Sequence, residues 1–285
     1  MTAQVQGEQL KVFTYRPRRV ALAGLLFLFD GVHRDASGMR DKATALAERA
    51  GIITFAPHLD RERFPKWRYN SAGVIRRGQK QPRELWTGPL LQRLFEWARD
   101  VTGQPSARLF LFGHSAGGQM LSRICAYSPL SSTARIVIAN PSAYVAPLLD
   151  EPTPYGFAGI FAPAEAVARL QVYLALPITI YLGQRDTGSR NLATSNAAMR
   201  QGRNRLQRGR RTYQSALTLA HRNAWAFNWQ LVEAPRVGHS SRAMLHAAPC
   251  YLALGLQPEA SIIQTNPLSH APHHPSTCAS CPLKQ

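Results

Sequence analysis

The chain has 285 residues, 45% of them hydrophobic, which is enough to bury the core of one large domain. No run of about 20 apolar residues occurs, so we expect a soluble protein without a membrane-spanning helix. The formal net charge of +18 favours anionic partners in general, but arginine is spread along the whole chain, so the charge identifies no particular partner. Four unevenly placed cysteines do not form a disulfide framework and favour a reducing, cytoplasmic location.

Apolar segments predict alternating strands and helices. Residues 20–29 follow several arginines, as the apolar part of a secretory signal would, but they run directly into Asp30-Gly31 and a helical pattern, which favours a buried strand. Apolar residues at three- and four-residue spacing predict helices over 39–50 and 91–101, the second capped by Thr87 and ended by Gly103. The other strand candidates are 52–56, 108–112, 135–139, 177–182 and 230–232. This alternation predicts an α/β fold with a mostly parallel central sheet and helices on both faces.

Two segments depart from this alternation. Residues 143–175 contain several prolines and aromatic residues, and they are expected to form an irregular, cap-like excursion over a site. From residue 257 the composition turns to Pro, Ser, His and Thr. We therefore expect one catalytic domain over 1–256 and a disordered tail over 257–285.

A nucleophile motif lies between a predicted strand and a predicted helix. Gly113-His114-Ser115-Ala116-Gly117 matches the pattern G-x-S-x-G, in which small residues permit a strained turn that exposes the serine hydroxyl at the carboxyl edge of the sheet. The start of the following helix offers backbone N–H groups to a developing oxyanion. The alternative is a glycine-rich turn that holds an ordinary serine.

A serine nucleophile needs a base and an orienting acid. Where the serine lies in a strand-to-helix turn of this kind, the three residues follow one another along the chain in the order Ser, Asp, His. Asp186 follows the predicted strand 177–182, and His239 follows 230–232. Taken alone, Asp186 would be a turn residue and His239 a helix cap or core histidine. Together with the turn at Ser115, they predict a catalytic triad.

These segments resemble the α/β-hydrolase superfamily, and within it the polyhydroxybutyrate-depolymerase and feruloyl-esterase-like esterases. The resemblance covers about residues 20–254 and includes the segments 29–34, 55–57, 63–65, 69–70 and 237–242. It implies a serine esterase that hydrolyses a small-molecule ester through an acyl-enzyme, without a cofactor or metal. It also implies an oxyanion hole formed by the backbone N–H groups of Ala116 and of Val32 or Gly31.

The chain departs from this family at Asp30, where histidine is usual. A carboxylate that faced the oxyanion would oppose its charge, so either Asp30 turns away, toward His33 or Arg34, or catalysis is weak. Two alternatives to an esterase therefore stay open. One is a binding protein with a vestigial triad, and the other is a serine peptidase on the same fold.

Three further signals have competing interpretations. Aromatic residues near the predicted site either wall a substrate pocket or pack the excursion onto the body; they are Trp67, Tyr69, Tyr155, Phe157 and Phe161. The arginine-rich segment 200–211 is interpreted as a solvated helix face or an anchor for an acidic substrate group, rather than as a nucleic-acid site. Cys278 and Cys281 lie near three histidines, but the spacing favours a tail over a zinc site.

Overall fold

A computed structural model of the protein describes residues 1–18 and 22–256. In chain order its strands are β1 (Thr2–Val5), β2 (Glu8–Tyr15), β3 (Gly24–Phe29), β4 (Ile52–Pro57), β5 (Ile75–Arg76), β6 (Gln79–Lys80), β7 (Leu109–His114), β8 (Thr133–Ala139), β9 (Ile178–Gly183) and β10 (Gln230–Ala234). Eight of them form one sheet in the order β1-β2-β4-β3-β7-β8-β9-β10, and β5 pairs with β6. The six strands from β4 to β10 in that order are parallel to one another.

The central strands are buried on both faces. Every residue of β3, β4, β7 and β9 is buried, which is why these segments are continuous apolar runs rather than alternating ones. The mostly parallel sheet predicted from the sequence is confirmed. The antiparallel strands β1 and β2, which extend one edge of the sheet, were not predicted. Residues 20 and 21 of the first strand candidate lie outside the described residues.

Helices cover both faces of the sheet. They are α1 (Ala36–Lys42), α2 (Thr44–Ala50), α3 (Lys66–Tyr69), α4 (Thr87–Thr102), α5 (Ala116–Tyr127), α6 (Pro163–Ala175), α7 (Asn196–Gln201), α8 (Arg205–Arg222), α9 (Ser241–His246) and α10 (Pro249–Leu254). Residues of α4, α5, α6 and α8 share one buried cluster, and residues of α1, α2, α9 and α10 share a second. The two apolar layers fix the sheet between them, so the loops at its carboxyl edge rest on a rigid base.

The structure differs from three local predictions in detail. The helix predicted over 39–50 is two short helices joined at Ala43. Gly103 ends α4 with a positive φ of 66°, as expected, but Thr87 is its first residue rather than its cap, because the Thr87 hydroxyl donates to the Arg68 carbonyl at 2.6 Å. The excursion is irregular only as far as Ala162, since 163–175 form α6 with Pro163 in its first turn.

No helix in the described ranges combines the length and the hydropathy needed to span a bilayer. The tail 257–285, with Cys278 and Cys281, lies outside the described residues.

Candidate active site

Ser115 lies at a tight turn between β7 and α5. Its φ of 54° and ψ of −111° are a strained conformation for a residue with a side chain. The turn is crowded by backbone: a Cβ on Gly117 would lie 2.3 Å from the Phe29 carbonyl oxygen, and one on Gly113 would lie 2.5 Å from that of Gly117. Glycine is therefore required at both positions, as the sequence pattern predicts.

The loops after β9 and β10 bring Asp186 and His239 to Ser115. His239 Nε2 lies 3.1 Å from Ser115 Oγ, and His239 Nδ1 lies 2.6 Å from Asp186 Oδ2. A proton on Nδ1, donated to the carboxylate, leaves Nε2 free to accept the serine proton. Asp186 is only 2% exposed, so this hydrogen bond is shielded from water. The structure thus brings together the three residues predicted from separate loops.

The second oxygen of Asp186 contacts Arg205, a residue whose role the sequence analysis missed. Arg205 Nη1 lies 3.4 Å from Asp186 Oδ1, and both side chains are 1% exposed. A second nitrogen, Nη2, donates to the Arg190 carbonyl at 2.6 Å. Burial lowers the pKa of the Arg205 guanidinium, while the charge of Asp186 raises it. Asp186 is consequently held between a histidine and a buried arginine.

The segment 200–211 is therefore not simply a solvated face. Arg205 and Arg208 are buried, and Arg208 donates to the Gly202 carbonyl at 2.8 Å and to the Ser142 carbonyl. The exposed Arg200 and Arg210 do reach solvent, where they pair with Glu151 and Glu233. A signal for burial was available, because Arg205 and Arg208 continue at helical spacing into the buried Thr212 and Ala216.

His114 packs beside the catalytic candidates. Its ring lies 4.8 Å from that of His239, and its Nε2 has no hydrogen-bond partner among the described residues. Burial lowers the pKa of His114 well below its ordinary value, and electrostatic repulsion from its neighbours His239, Arg205 and Lys42 adds to this. His114 is therefore a neutral neighbour of His239 near pH 7.

Backbone donors beside Ser115 are free for an oxyanion. Among the described residues, the N–H groups of Ala116, Gly31 and Val32 have no hydrogen-bond acceptor. A Cβ placed on Gly31 would lie 3.4 Å from Ser115 Cβ. Arg61 Nη2 donates to the Val32 carbonyl at 2.8 Å, which fixes the peptide that follows Val32.

The Asp30 carboxylate makes no hydrogen bond to His33 or Arg34, although its charge acts on Arg34. The carboxylate instead accepts a hydrogen bond from the Asp35 N–H at 2.8 Å. The Asp30 carbonyl accepts from Gly117 N–H at 3.0 Å and from the Tyr69 hydroxyl at 2.7 Å. Asp30 thus joins the loop after β3 to the turn at Ser115.

Two cavities meet at Ser115. The first, of about 610 Å³, reaches His239 and is called the His239 cavity; its lining includes Gly31, Val32, Ser115 and Asp186. The second, of about 490 Å³, is called the Arg34 cavity; it is lined by Val32, Arg34, Ser115 and Tyr155 among others, and His239 does not line it. Because both cavities share Ser115 and Val32, a substrate carbonyl at that point can extend a group into each.

Of the two interpretations of the aromatic residues, the structure favours packing at most positions. Phe157 is fully buried against the rings of Tyr127 and Tyr173, so it packs the excursion onto the body. Tyr69 is buried, and Trp67 is half-buried beside Arg76; neither lines a cavity that contains Ser115. Phe161 packs against Tyr127 in the same way as Phe157. Tyr155 alone of the five lines such a cavity.

The sequence and the structure were compared with those of known proteins. No family model matches the sequence, and no curated protein matches it. Among solved structures, poly(aspartic acid) hydrolase-1 from Sphingomonas sp. KT-1 is 32% identical, with a TM-score of 0.75 over 83% of this chain and 90% of that one. The poly(3-hydroxybutyrate) depolymerase LpqC from Bordetella parapertussis is 29% identical, with a TM-score of 0.79 over 88% of this chain and 86% of that one. TT1662 from Thermus thermophilus, 18% identical with a TM-score of 0.52 over 88% and 95% of the two chains, shares the fold.

The sheet, the turn at Ser115 and these similarities define an enzyme of the hydrolase class with the α/β-hydrolase fold. Within that superfamily the chain belongs to the polyhydroxybutyrate-depolymerase-like branch. The family resemblance inferred from the sequence is confirmed.

Proposed function

We propose that the protein hydrolyses carboxylic esters with Ser115 as nucleophile, His239 as general base and Asp186 as the orienting acid. The observation that carries this proposal is the continuous chain of contacts, 3.1 Å from Ser115 Oγ to His239 Nε2 and 2.6 Å from His239 Nδ1 to Asp186 Oδ2. Both distances allow proton transfer without a large movement.

In the first half-reaction, His239 Nε2 takes the proton of Ser115 while Oγ bonds to the ester carbonyl carbon. The N–H groups of Ala116 and of Val32 or Gly31 donate to the negative oxygen, and Asp186 stabilises the imidazolium. The tetrahedral intermediate then expels the alcohol, which receives the proton from His239. In the second half-reaction a water molecule, deprotonated by His239, releases the acid and restores Ser115.

The test is Ser115→Ala against Ser106→Ala, a matched control at an exposed loop serine. S115A should abolish p-nitrophenyl ester turnover and covalent labelling by a fluorophosphonate, while S106A should keep both, since only an activated serine forms the adduct. Full activity in S115A would refute the assignment. A folded wild-type protein with neither turnover nor labelling would support the vestigial binding protein instead.

Amide hydrolysis is the second candidate, favoured by the 32% identity to a poly(aspartic acid) hydrolase. The same proton transfers serve an amide, because His239 can protonate a leaving nitrogen as well as an oxygen. Release of new amino groups from poly(aspartic acid), absent in S115A, would establish it.

A further inference from the structure

The Arg34 cavity is unusual in its charge. No Asp or Glu of the described chain lines it. Its basic side chains are Arg34, Arg61, Lys66 and Arg123. The His239 cavity differs, because its basic residues share the lining with three carboxylates, those of Asp30, Asp35 and Asp186. Basic side chains without a carboxylate among the lining residues therefore lie on one side of Ser115, and Asp30 is a nearby carboxylate that acts on Arg34 from outside this lining.

Arg34 is the most informative of the four cations. It is 9% exposed, and within the described ranges its guanidinium makes no ion pair and its Nε and Nη1 atoms have no hydrogen-bond partner. Its Cζ atom lies 3.2 Å from the centre of the Tyr69 ring, which holds the guanidinium in place. Burial is the main cause that lowers the pKa of Arg34, repulsion from Arg61 adds to it, and Tyr69 and Asp30 partly oppose it. Its φ of 60° adds a strained backbone, a feature that clusters at ligand sites.

Arg123, on α5, is a second buried arginine of this cavity. It is 2% exposed, and Nη1 donates to the carbonyls of Ala143 at 2.8 Å and Gln119 at 3.2 Å. Its Nε has no partner among the described residues, and no carboxylate within them pairs with it. A buried cation that makes no ion pair is costly, and two of them on one cavity are stabilised if an anion binds there.

The position of His239 decides which part of the substrate enters this cavity. His239 must protonate the leaving group, so the alcohol lies in the His239 cavity. The acyl chain then extends into the Arg34 cavity, which His239 does not line.

We infer that the Arg34 cavity is an acyl subsite for a substrate that carries a carboxylate on its acyl chain, bound by the guanidinium of Arg34 with Arg61, Lys66 and Arg123 around it. This inference rests on the proposed function, since it assumes that Ser115 is the nucleophile. Arginine is suited to this role, because its planar group donates two parallel hydrogen bonds to one carboxylate.

The experiment compares substrates that differ only in one charge. The mono-p-nitrophenyl esters of adipate and suberate carry a free carboxylate at the far end of the acyl chain. The matched neutral substrates are the same p-nitrophenyl esters with that carboxylate converted to a methyl ester, which keeps the length nearly equal. The measured quantity is the ratio of kcat/KM for the free acid to kcat/KM for its methyl ester, after subtraction of spontaneous hydrolysis. In the wild type at least one pair should give a ratio of about ten or more, as expected for a charge-assisted hydrogen bond.

The variants Arg34→Gln and Lys66→Gln should each lower this ratio, and Arg93→Gln should leave it unchanged. Arg93 is an exposed arginine of α4 that pairs with Glu96 and lines neither cavity. Lys66 is exposed, so K66Q keeps the test decisive if R34Q does not fold. Added salt should lower the ratio in the wild type, because it screens a charged ligand and not a neutral one.

The outcomes separate the two proposals. A ratio near one in an enzyme that hydrolyses the neutral esters overturns the anionic subsite and leaves the esterase standing. A high ratio that survives both R34Q and K66Q also overturns the subsite. Absence of turnover for every ester, with no fluorophosphonate labelling, overturns the proposed function itself.

Discussion

The buried pair of Asp186 and Arg205 is best tested by a double-mutant cycle. Arg205→Met removes the guanidinium but keeps most of the side-chain volume, and Asp186→Asn removes the charge of its partner. The double variant removes both charges. Arg210→Met is the matched control on the same helix, since Arg210 is half exposed and pairs with Glu233 at 2.6 Å.

The separation of 3.4 Å sets the size of the expected effect. With an effective dielectric constant of about 20, two unit charges at that distance attract by about 5 kcal/mol. Loss of either partner leaves an uncompensated buried charge, so each single variant should lower the free energy of unfolding by about 3–5 kcal/mol. The double variant should lose about 1–3 kcal/mol less than the sum of the two. R210M should lose less than about 1 kcal/mol, because an exposed ion pair is screened by water.

The variants of this cycle should affect kcat and the free energy of unfolding to different extents. R205M keeps the Asp186 carboxylate but loosens it, so kcat for a p-nitrophenyl ester should fall about tenfold, which corresponds to about 1.4 kcal/mol of barrier. D186N cannot stabilise the imidazolium and should lose at least about a hundredfold. The double variant should lose less stability than the sum of the two single variants, but it should stay as inactive as D186N.

The assays are urea unfolding followed by circular dichroism, and initial rates on p-nitrophenyl acetate for the folded variants. Strictly additive losses of unfolding free energy would show that the two charges do not interact. An R205M variant with wild-type stability and wild-type kcat would refute the role given to Arg205.

The sequence predicted the parts of the fold that apolar periodicity controls. Central strands such as β7 and β9 are continuous apolar runs, and the glycines around Ser115 are dictated by backbone crowding, so both are visible in one sequence. The edge strands β1 and β2 are only partly buried and carry polar residues, so their pattern is weak. The positions of Ser115, Asp186 and His239 could be inferred because parallel strands bring their following loops to one edge.

Side-chain environment could not be predicted in the same way. Arg205, Arg208 and Arg34 are buried because of partners that are distant in the chain, such as Asp186, the Ser142 carbonyl and the Tyr69 ring. From residue type alone, an arginine is expected at the surface, because burial of its charge is costly without such partners. The two interpretations of the aromatic residues could not be separated from the sequence for the same reason. Phe157 and Tyr155 are two residues apart, yet one packs in the core and the other lines a cavity.

Two substitutions at the turn test its backbone and its electrostatics. Gly117→Ala places a Cβ 2.3 Å from the Phe29 carbonyl oxygen, so we expect a loss of about 1–3 kcal/mol of stability and much of the ester turnover, whereas Gly188→Ala, where a Cβ meets open space, should keep the wild-type melting temperature. An equally stable G117A would contradict the crowding argument. For His114, burial is the main cause that lowers the pKa well below the ordinary value of about 6.5. Below that pH the unfolded chain binds a proton that the folded protein does not. The contribution of His114 is therefore complete above pH 6.5 or so and is lost as the pH falls, by up to about 1.4 kcal/mol per pH unit. His114→Gln removes this titration, so its unfolding free energy, measured by urea at neutral and mildly acidic pH, should fall less steeply than that of the wild type. Parallel pH profiles for the two proteins would mean that His114 takes up its proton equally in the folded and unfolded states.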